Sequence, residues 1–151
     1  MSHCKKAAKE LKPYTCWHPR NEPDWSQSYN WSKITPTLKD KTVYVMTGVP
    51  LNTTAKRTVY KDQFKIGKYT PTEQLQFDFC VCHHANDFVG VYLSTLSYYI
   101  WIIRLIHGNV KNKLFSHQET YWSPTMHDLY VKDIPSYFGV SLADQLVIAP
   151  I

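Results

Sequence analysis

Four cysteines and seven histidines are the side chains best able to do chemistry in this 151-residue chain, and their spacing decides which chemistry is open. The densest group is Cys80, Cys82, His83 and His84. A structural zinc site wants four ligands from two knuckles at C-x-x-C or H-x-x-x-H spacing, and no second knuckle is visible. A nucleophilic Cys–His pair needs an orienting third group, and none adjoins. The group therefore reads as two small half-buried thiols beside a polar turn, since unpaired cysteine commonly packs as a small apolar side chain. With Cys4 and Cys16 the four are too few and too unevenly placed for a small secreted framework, so the redox compartment stays open. There is no phosphate-cradling glycine loop, H-E-x-x-H or G-x-S-x-G, and five glycines leave little room for one. Carboxylate pairs such as Glu22 with Asp24, or Asp128 with Asp133, read as solvated surface.

Charge is the stronger signal. The chain carries +5 overall, with thirteen basic and five acidic side chains in residues 1–70 against four and seven in residues 71–151. Lys56, Arg57, Lys61, Lys65 and Lys68, interleaved with Tyr60, Phe64 and Tyr69, have the composition of a phosphate-facing strand. An amphipathic outer strand with its lysines in water explains them equally well, because charge speaks to a partner rather than to a fold.

The elements that must position these groups follow from periodicity. With 44% apolar residues the chain can bury a core, and no linker or repeat divides it. Residues 1–12 read as a short helix stopped by Pro13. Thr42–Met46 reads as a strand and Arg57–Ile66 as another, and Leu146–Ile148 makes a last apolar run. Gln74–Cys82 alternates, with Leu75, Phe77, Phe79 and Val81 on one face, and reads as a half-buried antiparallel strand followed by a turn at His83–Asp87 and a returning strand from Phe88 to Ser94. Phe88–Ile106 holds one charge, Arg104, in nineteen residues. Its Ser94, Thr95 and Ser97 favour two buried strands broken near Ser97 over a membrane span. Met126–Gly139 has room for a short helix. No apolar run with a small-residue cleavage site follows Met1, so a secretory leader is expected to be absent or already removed, and the sequons at Asn30 and Asn52 carry little weight.

The order of the runs adds a resemblance. Val43–Leu51, Val59-Tyr60-Lys61, Phe64–Lys68, Pro71-Thr72 and Phe77–Val81, with His18-Pro19-Arg20 and Tyr29-Asn30-Trp31 upstream and Tyr130–Ile134 and Gly139–Leu142 downstream, resemble the latter half of the DNA/RNA non-specific endonucleases of the endonuclease G-like, ββα-metal type. The likeness spans about residues 17–148. It implies an α+β fold, an antiparallel β-sheet with flanking helices, arranged as an N-terminal arm (1–16) and a degenerate nuclease-like domain (17–151) with an insertion at about 96–124. Members of that family use an Asp-Arg-Gly-His motif and a helix Asn that holds Mg²⁺. This sequence has no such motif, and Asn30 is the nearest candidate for the metal ligand. The resemblance thus implies a non-catalytic structural or accessory subunit of a larger mitochondrial assembly, such as a respiratory complex or the mitochondrial ribosome, with no catalytic residue and no cofactor. Two alternatives stand beside it. One is a metal-dependent endonuclease half, using Mg²⁺, whose catalytic His comes from a partner chain. The other is a nucleic-acid-binding module that meets RNA or DNA through residues 56–68, with membrane contact through 88–106 as a further expectation.

Overall fold

The structure is a computed structural model that describes residues 2–19, 34–47, 53–92, 94–116, 139 and 145–148. Among the described residues the longest helix begins at a local signal. The side chain of Thr70 accepts a hydrogen bond from the Glu73 amide (3.2 Å), and Pro71 occupies the first turn, where its missing N–H is no loss. From there Pro71–His84 runs helical and buries Phe77, Asp78, Val81 and Cys82, a spacing of one helix face. A second helix, Thr95–Ile106, buries Ser97, Ile100, Trp101, Arg104 and Leu105, again at helical spacing. Counting the N-terminal helix α1 (Ser2–Leu11) and the single turn α2 (Thr35–Leu38), these two are α3 and α4.

The helices separate short strands: β1 (Thr15–Trp17), β2 (Thr42–Val45), β3 (Arg57–Val59), β4 (Asp87–Val91), β5 (Asn112–Ser116) and β6 (Leu146–Ile148). They form one six-stranded sheet in the order β3-β2-β1-β4-β5-β6. Every pairing is parallel, with Cys16 opposite Tyr44 on one side and Phe88 on the other. A sheet with flanking helices is thus present, but it is not antiparallel. The reason lies in α3 and α4. Residues 74–82, read as a strand, and the second half of 88–106 are crossover helices, and a helix between two strands brings them back parallel rather than as a hairpin.

A parallel sheet needs cover on both faces. Cys16, Tyr44, Phe88 and Leu114 point to the layer of α1, α3 and α4, while Trp17, Val43, Val45, Val89 and Phe115 point the other way, toward Ile34 and Leu38 around α2. The division at residue 16 falls inside the central strand, and α1 is part of the core through Cys4, Ala7, Ala8 and Leu11. Arg57–Ile66 is strand only as far as Val59, after which Lys61–Phe64 turns into a 3₁₀ helix. The short helix expected at Met126–Gly139 lies outside the described residues, apart from Gly139.

The four cysteines are not thiols. Cys4 is bonded to Cys80 and Cys16 to Cys82, which ties α3 to α1 and to β1, and no free cysteine is left. The end of α3 is fastened by a buried arginine. Its guanidinium donates to the carbonyls of Cys82, His83 and Ala85 at 2.8–3.1 Å, and Arg104 Nε donates to Asn112 Oδ1 at 2.6 Å. Tyr14 adds a hydrogen bond to the Val81 carbonyl. Together they satisfy acceptors that a helix C-terminus leaves open. Burial lowers the Arg104 pKa to about 10, so it remains a cation.

Candidate functional site

In the order β3-β2-β1-β4-β5-β6 the chain leaves β1 in both directions, and the reversal lies between β1 and β4. Open parallel sheets bind ligands in the crevice outside the carboxyl ends of the strands at such a point. The residue that follows β1 there is His18. Its backbone amide donates to the Val89 carbonyl (2.8 Å), which extends the β1–β4 ladder by one step and fixes the ring at the sheet's carboxyl edge. The side chain is buried, and its Nδ1 lies 2.6 Å from Ser97 Oγ.

Ser97 reaches His18 because β4 carries glycine opposite it. A Cβ on Gly90 would stand 2.8 Å from Ser97 Oγ and equally close to the Phe88 ring, so only glycine lets the first turn of α4 approach the strand this closely. Ser97 Oγ also accepts the Val91 amide at 2.9 Å. With that lone pair filled, both groups are satisfied when the hydroxyl donates to Nδ1, and the ring proton then sits on Nε2. At the start of α4, Ser94 is the N-cap but makes no cap hydrogen bond. It is buried, and its hydroxyl has no partner among the described residues. The first turn of a twelve-residue helix and its buried N-cap hydroxyl thus lie on the element that holds His18, at the point where strand order reverses. Such a helix end attracts phosphate and other anions through its open N–H groups and its dipole.

A polar network adjoins. Asp78 of α3 accepts from Tyr44 Oη (2.5 Å) and from Lys61 Nζ (3.0 Å). Burial raises the Asp78 pKa, opposed by the hydrogen bonds from Tyr44 and Lys61 and by the Lys61 charge. Burial, together with the Asp78 carboxylate, pushes the Tyr44 phenol well above its ordinary value. Features of dinucleotide recognition are missing from this edge. His18 and Pro19 follow β1 in place of a glycine fingerprint, and Val45, Met46 and Thr47 supply no carboxylate at the end of β2.

The residues singled out from sequence are scattered. Asn30 lies outside the described residues. Lys56 and Arg57 line a cleft of about 530 Å³ with Asp40, Lys41 and Asp87 at the opposite, amino edge of the sheet. Lys61 is engaged with Asp78, Lys65 sits beside His3 and Lys6, and Lys68 is exposed. The five do not line one strand, because β3 ends at Val59. The His83 ring packs against His84 and against His107, with centroids 4.8 and 4.5 Å apart. Burial, with the charges of His84, His107 and Arg104, lowers the His83 pKa to about 4. Among the described residues no group of three or more His, Cys, Asp or Glu is placed to hold a metal ion, and no helix is long and apolar enough to cross a membrane.

Sequence reasoning passed over His18, Ser94 and Ser97 as site residues. The signal available was a polar triplet directly after an apolar strand, Ser94-Thr95 and Ser97, which is an N-cap pattern. Its pairing with His18, 79 residues away, is not local. No protein-family model matches the chain, and neither a curated protein nor a solved structure does.

Proposed function

We propose that this chain binds the diphosphate of a nucleotide donor in the β1/β4 crevice and is the donor-binding domain of an enzyme that transfers a glycosyl group in an oxidising compartment. The observation that carries this reading is the convergence of His18, Ser97 and the uncapped α4 N-terminus at Ser94 on the point where strand order reverses. A diphosphate is a ligand whose negative charge suits a helix N-terminus at such a point. The absence of a glycine fingerprint and of an acidic residue after β2 argues against NAD-type dinucleotides. Two disulfides favour an oxidising setting over the mitochondrial one expected from sequence. Activated sugars are nucleoside diphosphate donors, and glycosyl transfer is the reaction class this reading proposes.

In that reaction the oxygen of an acceptor hydroxyl bonds to the sugar's anomeric carbon and gives up its proton to solvent, the bond between that carbon and the diphosphate oxygen breaks, and negative charge grows on the leaving diphosphate. The α4 amides, Ser94 Oγ and His18 Nε2–H are donors at the place where that charge appears, and fixed donors of this kind lower the barrier. Ser97 holds the imidazole in the tautomer that can donate.

The test is thermal unfolding of the chain with GDP, UDP, ADP and NAD⁺. A specific nucleoside diphosphate at a hundredfold excess over its Kd stabilises by about 2.7 kcal/mol. A rise in midpoint with one or more nucleoside diphosphates, lost in His18→Ala, is expected. No shift with any of them would reject the reading. The nuclease-like accessory subunit and the split nuclease half both rest on an antiparallel ββα scaffold, and the parallel sheet lends them no support. The scatter of Lys56 to Lys68 likewise weakens a nucleic-acid module.

A further inference from the structure

Among the described residues the exposed large apolar side chains are Tyr99, Ile103, Ile106 and Val110, each 38–58% open to solvent. The first three lie at i, i+4 and i+7 on α4, so they form one stripe on the face opposite buried Arg104. Val110 follows the end of the helix and precedes β5, at the amino edge of the sheet. An exposed apolar stripe of this kind marks a contact site.

What the stripe meets is indicated by its surroundings. Val110 lines a depression of about 370 Å³ that also holds Lys12, His84 and Lys111. Lys12 and His84 are shared with a second depression of about 200 Å³, lined by Lys5 and Lys9 of α1. No carboxylate among the described residues lines either one. Lys5, Lys9 and Lys12 fall on a single face of α1 and its end, and Lys111 stands across from them. The crowding of cations is visible at His84, whose pKa is lowered by burial first and then by Lys12 and Lys5. An apolar helix face with a tyrosine, running into a rim of lysines, is the combination that rests on an anionic membrane surface.

We infer that the outer face of α4, with Val110 and the lysine rim Lys5, Lys9, Lys12 and Lys111, docks on an anionic lipid surface. The apolar stripe enters the headgroup region and the lysines meet lipid phosphates and carboxylates. The rim lies at the amino edge of the sheet, so docking leaves the crevice at the carboxyl edge open.

The experiment is co-sedimentation of the full chain with vesicles of phosphatidylcholine alone and of phosphatidylcholine with phosphatidylserine. Binding to the serine-containing vesicles, weakened by salt, is expected, with little or none to the neutral ones. Each lysine contributes about a fivefold factor, so Lys12→Glu with Lys111→Glu should weaken binding by more than roughly twentyfold. Ile106→Ser should weaken it with the lysines intact. These positions are exposed, so unchanged circular dichroism and melting midpoint are expected in both variants. Equal binding to both vesicles, or none at low salt, would overturn the inference. So would retention on a sulfated polysaccharide without lipid binding, which would assign the lysines to a soluble polyanion.

Discussion

His18 at the end of β1 and Ser97 in the first turn of α4 meet at 2.6 Å across the reversal of strand order, so one hydrogen bond joins the two chain segments that form the crevice. Ser97→Ala removes the acceptor of the Val91 amide and the partner of His18 Nδ1 together. Leaving such buried groups unpaired costs about 1–3 kcal/mol, and the imidazole loses its fixed tautomer. Nucleoside diphosphate affinity, read by calorimetry, should fall about tenfold or more, the factor that corresponds to roughly 1.4 kcal/mol.

Gly90→Ala tests the close approach that makes this contact. The new methyl collides with Ser97 Oγ and the Phe88 ring at 2.8 Å. Overpacking of this kind costs about 1–3 kcal/mol. A drop in the urea midpoint together with weaker nucleotide binding is expected, whereas Gly67→Ala, which meets nothing within 4 Å, should leave binding unchanged.

Arg104→Lys should behave as a severe substitution. An ammonium has three donors in place of a planar fork and cannot span the carbonyls of Cys82, His83 and Ala85 while also reaching Asn112. Unsatisfied carbonyls at the end of α3 and a displaced Asn112 should cost about 3 kcal/mol, visible as a lower chemical-denaturation midpoint at unchanged slope.

Acid should destabilise the fold through the histidine group at the ends of α3 and α4. Burial depresses His83 to about 4, and His84 is depressed as well. The unfolded chain therefore takes up these protons first, near the ordinary histidine value of about 6.5. Stability is fully present above that pH and declines as pH falls toward 4. Urea midpoints between pH 7.5 and 4.5 should show this slope, and His83→Gln should flatten it.

The disulfides close long loops, with separations of 76 and 66 residues. Each should contribute roughly 4 kcal/mol by the loop-entropy estimate. No thiol should react with Ellman's reagent in the native chain, and Cys4→Ser with Cys80→Ser should lower the melting midpoint while retaining the sheet signature in circular dichroism.

How much of this was legible in the sequence depended on whether the deciding contact was local. The first helix, with Ala7, Ala8 and Leu11 on one face and Pro13 behind it, formed as expected, as did the strand at Thr42–Val45, while the apolar run Leu146–Ile148 is β6. The segment 74–82 misled because α3 packs on more than one side. Phe77 and Val81 are buried while Leu75, Phe79 and Cys80 also pack against the core, so apolar residues fall at every second position although the backbone is helical. Thr70-Pro71-Thr72-Glu73 was the local cue to helix, and it outweighs the alternation. Reading that helix as a strand turned a crossover into a hairpin and with it the sheet from parallel to antiparallel. The site suffered the same way, since His18 and Ser97 acquire a role only once β1 and β4 lie side by side.

Cys80 and Cys82 are two positions apart, which on a strand sends both side chains the same way and on a helix turns them about 200° from each other. Their bonds run to different elements, Cys80 to α1 and Cys82 to β1. The pair therefore works as a conformational lock with two keys. Only a helical 71–84 presents one sulfur to each partner, and an extended segment would present both to the same one. Oxidation to this pairing thus records that α3 has taken its helical form against both neighbours.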